Sequence, residues 1–486
     1  MEAASRSQSK TPRRALVRAL PSLSVGFALA AGLALRLWML KLHFLVNGDA
    51  LIYGDLAKNL LLHGSYGLTR GSGIDPTLIR LPGYPLFLVF CFRLFGMENY
   101  ASACWIQIAL ELAGCLLLAD FVRRIVPERL GCGAAHCTLW LAALCPFTAI
   151  YCAEPLTESL TLFVIALALW SAARFLARPG WGPALSFTFA VGYAALLRPD
   201  GALVAVALAP ALLLGLRRKE GYSSISTGRL ARMAAVCVLL VLMPFAAWSW
   251  RNWQVFRVFE PLAPRLANDP GEDPHPGWER WVKSWCLDYV STYEIYWNVP
   301  DDVLDFGKLP RRAFDSPAQQ AETAALAADY NVHKDLTPQI DARFGKLADE
   351  RIAAHPLRYY LWLPLGRVAD MWLRPRVENL YDDLDWWVYR KHPAQSLVSW
   401  AYAGLNALYL LLGIAGLCLR LRLWRPMLAY MLLRSALLMT VEAPEARYTL
   451  ECFPMLFALG GVALYRLTNW VLLSVLKVKA SAGSGG

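Results

Sequence analysis

What most constrains this chain is a succession of apolar windows, each about 20 residues long and almost free of charge, the length an α-helix needs to cross a hydrocarbon core. Such windows read as spans at about 21–42, 101–122, 132–151, 155–174, 182–197, 200–216, 232–250, 396–419, 426–441 and 448–472. The composition agrees: 57% of the 486 residues are hydrophobic and only 17% charged, with a mean hydropathy of +0.37. A soluble chain carries nearer a quarter charged residues. The expectation is an all-α polytopic membrane protein with about ten or more transmembrane helices. The first run has no small-residue cleavage site after it and is read as a retained helix.

The net charge of +11 is not a nucleic-acid footprint, because the basic residues sit in short connectors between apolar runs. Arg6, Lys10, Arg13, Arg14 and Arg18 put the N-terminus in the cytoplasm. The connectors Arg123/Arg124/Arg129, Arg174/Arg178, Arg217/Arg218/Lys219 with Arg229/Arg232, then Arg420/Arg422/Arg425 and Lys477/Lys479, keep returning there. The organisation expected is a cytoplasmic tail (1–20), a membrane module (21–250) with an outer loop at 43–100, an outer loop domain (251–395), and C-terminal spans (396–476). Within the loop domain, 355–374 is interrupted by Arg358, Arg367, Asp370 and Arg374 and reads as an interfacial helix. The closing SAGSGG (481–486) reads as an appended linker. Eleven scattered cysteines contain no CxxC pair and imply neither a disulfide framework nor a zinc site.

This topology puts Arg80, Arg198, Arg251 and Arg447 on the outer face, where basic residues are disfavoured. Arginine presents a planar fork of donors suited to phosphate, so the group points to an anionic ligand. Each taken alone equally suits snorkelling to headgroups. Acids on the same side are Asp49, Asp55, Glu154, Glu158, Asp200, Glu442 and Glu445. On a helix Asp49 and Asp55 lie about 120° apart, so they are not expected to act on one bond. Asp49 also suits a helix cap. Glu111 and Arg434 fall at mid-span, where pairing with each other is expected. His43 and His63 match no metal-ligand spacing. Trp278, Trp281, Trp285, Trp297 and Asp288 suit either sugar stacking or the core of an ordinary folded domain.

GDALIYGDLAKNLLLHGSYG after the first span, then RLPGYPLF, resembles the start of GT-C superfamily glycosyltransferases. The similar branch is the dolichyl-phosphate-mannose-protein mannosyltransferase-like one (family 39), related to the lipid A aminoarabinose transferases. AEPLTESL at 153–160, LLRPDG ending at 201, WRNWQVF at 250–256 and EARYTLECFPML at 445–456 resemble later landmarks in order.

The resemblance implies a GT-C fold and transfer of a sugar from a polyprenyl-phosphate donor. The acceptor would be a hydroxyl on a glycolipid, glycan or protein, in a multi-pass inner membrane with the active site facing the periplasm or exterior. It implies Asp49 as catalytic base; many members carry Asp-Glu there, and this chain has Asp49-Ala50. Arg447 and Arg80, then Arg198 and Arg251, are assigned to the donor phosphate, Glu158 to a sugar hydroxyl and Tyr53 to a place beside Asp49. A single base implies inversion. No cofactor is specified, and a divalent metal is left open. The competing readings are a transporter or flippase of lipid-linked sugars, for which no inverted repeat is visible, and a non-catalytic lipid-sugar-binding subunit.

Overall fold

The computed structural model describes residues 12–217, 226–380, 384 and 386–483. Most of the N-terminal tail (1–11), Arg218 and Lys219 of one basic connector, and residues 484–486 of the closing linker lie outside the described residues. The described chain begins with α1 (Pro12–His43), α2 (Asp49–His63), an antiparallel hairpin β1 (Gly67–Arg70) and β2 (Gly73–Pro76), and α3 (Gly83–Phe95). It continues with α4 (Tyr100–Ile125), α5 (Glu128–Ala143), the short α6 (Pro146–Ala149), α7 (Glu158–Ala177), α8 (Trp181–Leu197), α9 (Leu203–Arg217) and α10 (Thr227–Phe256). The loop unit holds α11 (Pro276–Lys283), α12 (Tyr289–Glu294), α13 (Pro317–His333), α14 (Pro338–Ala354) and α15 (Leu363–Leu373). The chain closes with α16 (Pro393–Cys418), α17 (Trp424–Leu438) and α18 (Phe453–Gly483).

All ten apolar windows fall on helices. Among the described residues, six helices are long and apolar enough to cross a membrane, or seven when the pair Glu128–Ala143 and Pro146–Ala153, bent by 48°, counts as one. The helices α8, α9 and α17 are shorter, with 17, 15 and 15 residues. The chain is an all-α polytopic membrane protein. Helix starts follow local chemistry: Asn99 accepts from the Ser102 amide at the start of α4, and Ser316 and Thr337 cap α13 and α14 ahead of prolines at the first helical position.

Helices α4, α5, α7, α16, α17 and α18 share a core around Phe121, Leu139, Ile165, Leu169, Tyr430 and Phe453. Small residues let backbones meet, as membrane helices without a strong solvent-driven force require. A Cβ on Gly461 would lie 2.0 Å from Thr138 Oγ1, and one on Gly416 2.3 Å from the Leu459 carbonyl oxygen.

The buried charges correct one expectation. Glu111 does not meet Arg434. It pairs with Arg36, whose Nε lies 3.1 Å from Glu111 Oε2, while Arg36 Nη1 donates to the carbonyls of Gly32 (2.9 Å) and Ala143 (2.7 Å). Arg434 is held instead by Asp200 and by Glu451 (3.0 Å). Each charge finds the partner its helix neighbours supply, which spacing along one span does not reveal.

In the loop unit Trp278, Trp281 and Trp285 are 2%, 0% and 1% exposed and form the core with Phe344, Leu347 and Tyr330. The core reading therefore holds for these three, and the stacking reading does not. Helix α11 sits directly on α14, because Asp341 accepts from the amides of Gly277 (3.0 Å) and Trp278 (2.8 Å). Asp288 is spent on capping α12 and pairing with Arg312. Within 355–374 the chain is helical over Arg358–Trp362 and Leu363–Leu373, and its Arg367 is buried against the carbonyls of Cys286 (2.9 Å) and Val441 (3.2 Å).

Candidate active site

The end of α1, the start of α2, the start of α7, the end of α8 and the segment before α18 converge at one end of the bundle, where two cavities open. The smaller, about 470 Å³, is lined by Asp49, Tyr53, Arg80, Glu158, Arg198 and Asp200 among others. The larger, about 780 Å³, is lined by Glu154, Tyr289, Trp297, Glu378 and Glu445 among others. Asp49, Leu156 and Arg447 border both. Among the described residues no group of three or more His, Cys, Asp or Glu side chains is placed to hold a metal ion.

Asp49 is the first residue of α2, after Gly48 at φ +47°, a left-handed conformation that glycine adopts without strain. It makes no cap: the N-cap position is Gly48, and no side chain caps the helix. The carboxylate is instead free to meet guanidinium groups. Asp49 Oδ1 accepts from Arg80 Nη2 at 2.6 Å, and Oδ2 lies 3.9 Å from Arg447 Nη2. Burial pushes its carboxyl up, but Arg80 and Arg447 outweigh that and hold it below the usual carboxylate range.

Arg80 is delivered by a turn ahead of α3. A Cβ on Gly83 would lie 2.5 Å from the Leu196 carbonyl oxygen, so α3 starts in contact with the end of α8. That contact brings Arg80 and Arg198 to one chamber. Arg198 lies 3.1 Å from Glu451, 3.4 Å from Glu158 and 3.5 Å from Asp200. Arg447 lies 3.8 Å from Glu158 and 2.5 Å from Glu445. Tyr53 packs edge-on against Tyr84 at 5.1 Å, and burial raises its phenol to about 12, so it is a hydrogen-bonding group at neutral pH and not a base.

Six of the seven residues assigned a role at the site from the sequence thus border the smaller cavity. Arg251 does not. Its Nη1 donates to the Thr77 carbonyl (2.8 Å), its Nη2 to the Tyr66 carbonyl (2.5 Å), and it lies over the Trp248 ring at 5.3 Å. It staples α10 to the first loop. Asp55 turns away as well, accepting from the Thr69 amide (2.6 Å) and hydroxyl (2.8 Å) to hold the hairpin. Arg265, Glu378 and Tyr448 were not singled out in the sequence. Arg265 lines the smaller cavity, pairs with Glu442 and comes from an irregular stretch with no periodicity to flag it.

Glu154 faces the larger cavity, with Oε1 accepting from Asn379 Nδ2 at 2.5 Å. Burial first, then Glu158 and Glu378, push its carboxyl up to about 7 against Arg447 and the Asn379 bond. An acid whose folded value is raised contributes stability below its unfolded pKa and loses it as pH rises through the folded value. Glu154→Gln is therefore expected to melt like the wild type near about pH 5 and above it near about pH 8.5. Thermal unfolding of both proteins across that range checks this; parallel curves would refute it.

Fold and chamber define a polytopic membrane protein with arginine–carboxylate pairs gathered at one end of its bundle. Residues 79–248 match the family described as Dolichyl-phosphate-mannose-protein mannosyltransferase. The resemblance read from the sequence is borne out over that stretch, which holds Arg80, Glu158 and Arg198 and supports a membrane glycosyltransferase. Asp49 and Arg447 lie outside it. Among solved structures, ArnT from Cupriavidus metallidurans bound to undecaprenyl phosphate is similar at 15% identity and a TM-score of 0.41, covering 91% of this chain and 77% of that one. Its apo state gives 15% and 0.38, covering 93% and 78%. No curated protein matches the chain.

Proposed function

We propose that the protein transfers a sugar from a polyprenyl phosphate to a hydroxyl acceptor on the outer face of the inner membrane, with inversion, and that Asp49 is the base. The observation that carries this reading is the position of Asp49: an ionised carboxylate on the border of two cavities, tied to two guanidinium groups and not consumed as a cap.

The acceptor oxygen attacks the anomeric carbon and gives its proton to Asp49. The bond from that carbon to the phosphate oxygen breaks, and its electron pair leaves with the polyprenyl phosphate. Arg80, Arg447 and Arg198 line the cavity where that charge gathers, as fixed donors that need little reorganisation. Glu158, 3.4 Å from Arg198 and 3.8 Å from Arg447, orients these arginines and a sugar hydroxyl in this reading.

With the site empty, the two arginines that depress Asp49 also make it a weak base. A donor phosphate competes for Arg80 and Arg447, and the carboxylate regains basicity as they turn to it. Donor binding thus activates the base before the acceptor oxygen attacks.

The test is direct binding of a polyprenyl phosphate to the purified protein. Arg80→Gln removes a charge-assisted bond worth about 1.5 kcal/mol, roughly a tenfold loss of affinity. Arg251→Gln is expected to lower thermal stability and leave the affinity of the folded protein unchanged. Equal loss from both substitutions, or none from Arg80→Gln, would count against the phosphate site.

A further inference from the structure

The two cavities differ in the sign of their walls. Arg80, Arg198, Arg265 and Arg447 line the smaller one, against three carboxylates, Asp49, Glu158 and Asp200. In the larger one, Asp49, Glu378 and Glu445, with Glu154 partly ionised at neutral pH, face one guanidinium among the described residues, Arg447, which is already 2.5 Å from Glu445. A phosphate brought there meets like charge at short range inside a partly desolvated space, where such repulsion is weakly screened. Glu378 Oε2 is buried and has no hydrogen-bond partner among the described residues, so it stands ready to accept from a ligand hydroxyl or ammonium.

The same cavity also has aromatic lining. Tyr289, Tyr293 and Trp297 come from α12 and the turn after it, with the Trp297 ring 5.7 Å from each tyrosine ring. Trp297 is 45% exposed, unlike the three tryptophans of the same unit that form its core. An open indole in a cavity that also holds carboxylate acceptors supplies a flat apolar face and hydrogen-bonding groups in one space. A sugar ring presents the matching surfaces, a C–H face and hydroxyl edges.

We infer that the larger cavity is the acceptor site and that it takes a glycan ring without phosphate, neutral or cationic, laid on Trp297 with its hydroxyls toward Glu378 and Glu154. This rests on the reading of Asp49 as base, since Asp49 borders both cavities and faces donor on one side and acceptor on the other. The wall charge acts as a filter. It admits hydroxylated rings and turns away phosphorylated ones, which confines the donor phosphate to the arginine-lined cavity.

The test uses the full chain in lipid nanodiscs, so that no sugar-headed detergent competes. A panel of methyl hexosides (glucoside, galactoside, mannoside and N-acetylglucosaminide) is presented, each also as its 6-amino and 6-phosphate derivative. Saturation-transfer NMR titration reads binding without donor. At least one hexoside is expected to bind together with its amino derivative, its phosphate binding about tenfold or more weaker. Trp297→Ala is expected to weaken the bound hexoside about tenfold. The isosteric pair Glu154→Gln and Glu378→Gln, combined, keeps the shape and is expected to narrow the gap between phosphate and parent. Phosphates binding as well as their parents, a gap unchanged in the double variant, or no hexoside binding at all would each overturn the inference. Failure of the donor reading shows separately, as polyprenyl phosphate binding that does not depend on Arg80.

Discussion

Asp49→Asn is expected to lower kcat by about 10²–10⁴-fold, the usual contribution of a positioned general base, with the donor bound at least as tightly as before. The substitution keeps the size of the side chain and an oxygen that accepts from Arg80 Nη2, now 2.6 Å from Asp49. It removes one negative charge beside Arg80 and Arg447, so a phosphate meets less competition there. Rate and affinity should therefore part company. Single-turnover transfer and equilibrium binding, measured on the same preparation, check both halves. Retention of most of the activity would rule out Asp49 as the base.

Arg434→Met is expected to cost about 3–5 kcal/mol of stability, as breaking one member of a buried ion group does. Arg434 is fully buried between Asp200 and Glu451, and its Nε also donates to the Tyr448 carbonyl at 3.0 Å. Removing it leaves two carboxylates sharing Arg198 alone. Arg198 would then be drawn from the chamber toward them, so activity should fall even in the protein that remains folded. Restoring neutrality with Arg434→Met and Glu451→Gln together should recover part of the lost melting temperature. A loss under about 1 kcal/mol, typical of a surface pair, would mean the group is not structural.

Much of this was legible because membrane folding leaves a plain signature. The apolar windows became helices since the backbone there has no other partner for its polar groups. Arg80, Arg198 and Arg447 were visible as basic residues outside the connectors that the charge pattern assigns to the cytoplasm, and Asp49 as an acid leaving the first span. What the sequence hid were pairings set in three dimensions. Arg36 reaches Glu111 across 75 residues, and nothing in either span's periodicity points to the other. Arg251 carried the same local signal as its neighbours, a basic residue among aromatics at a helix end. Its carbonyl partners Tyr66 and Thr77 come from the first loop, and only the fold shows that its donors are consumed. The tryptophans divided for a similar reason: three sit where α11 meets α14, and Trp297 lies past that packing, facing the larger cavity.

The central claim, displacement at the anomeric carbon with Asp49 as the one base, is tested most directly by the stereochemistry of transfer. The purified protein is given polyprenyl-phosphate sugars of known anomeric configuration with a hexoside acceptor, and the new glycosidic bond is assigned by NMR while released polyprenyl phosphate is measured. The account predicts an inverted bond, one polyprenyl phosphate for each sugar moved, and loss of both products in Asp49→Asn. A retained configuration, or transfer undiminished in Asp49→Asn, would contradict it.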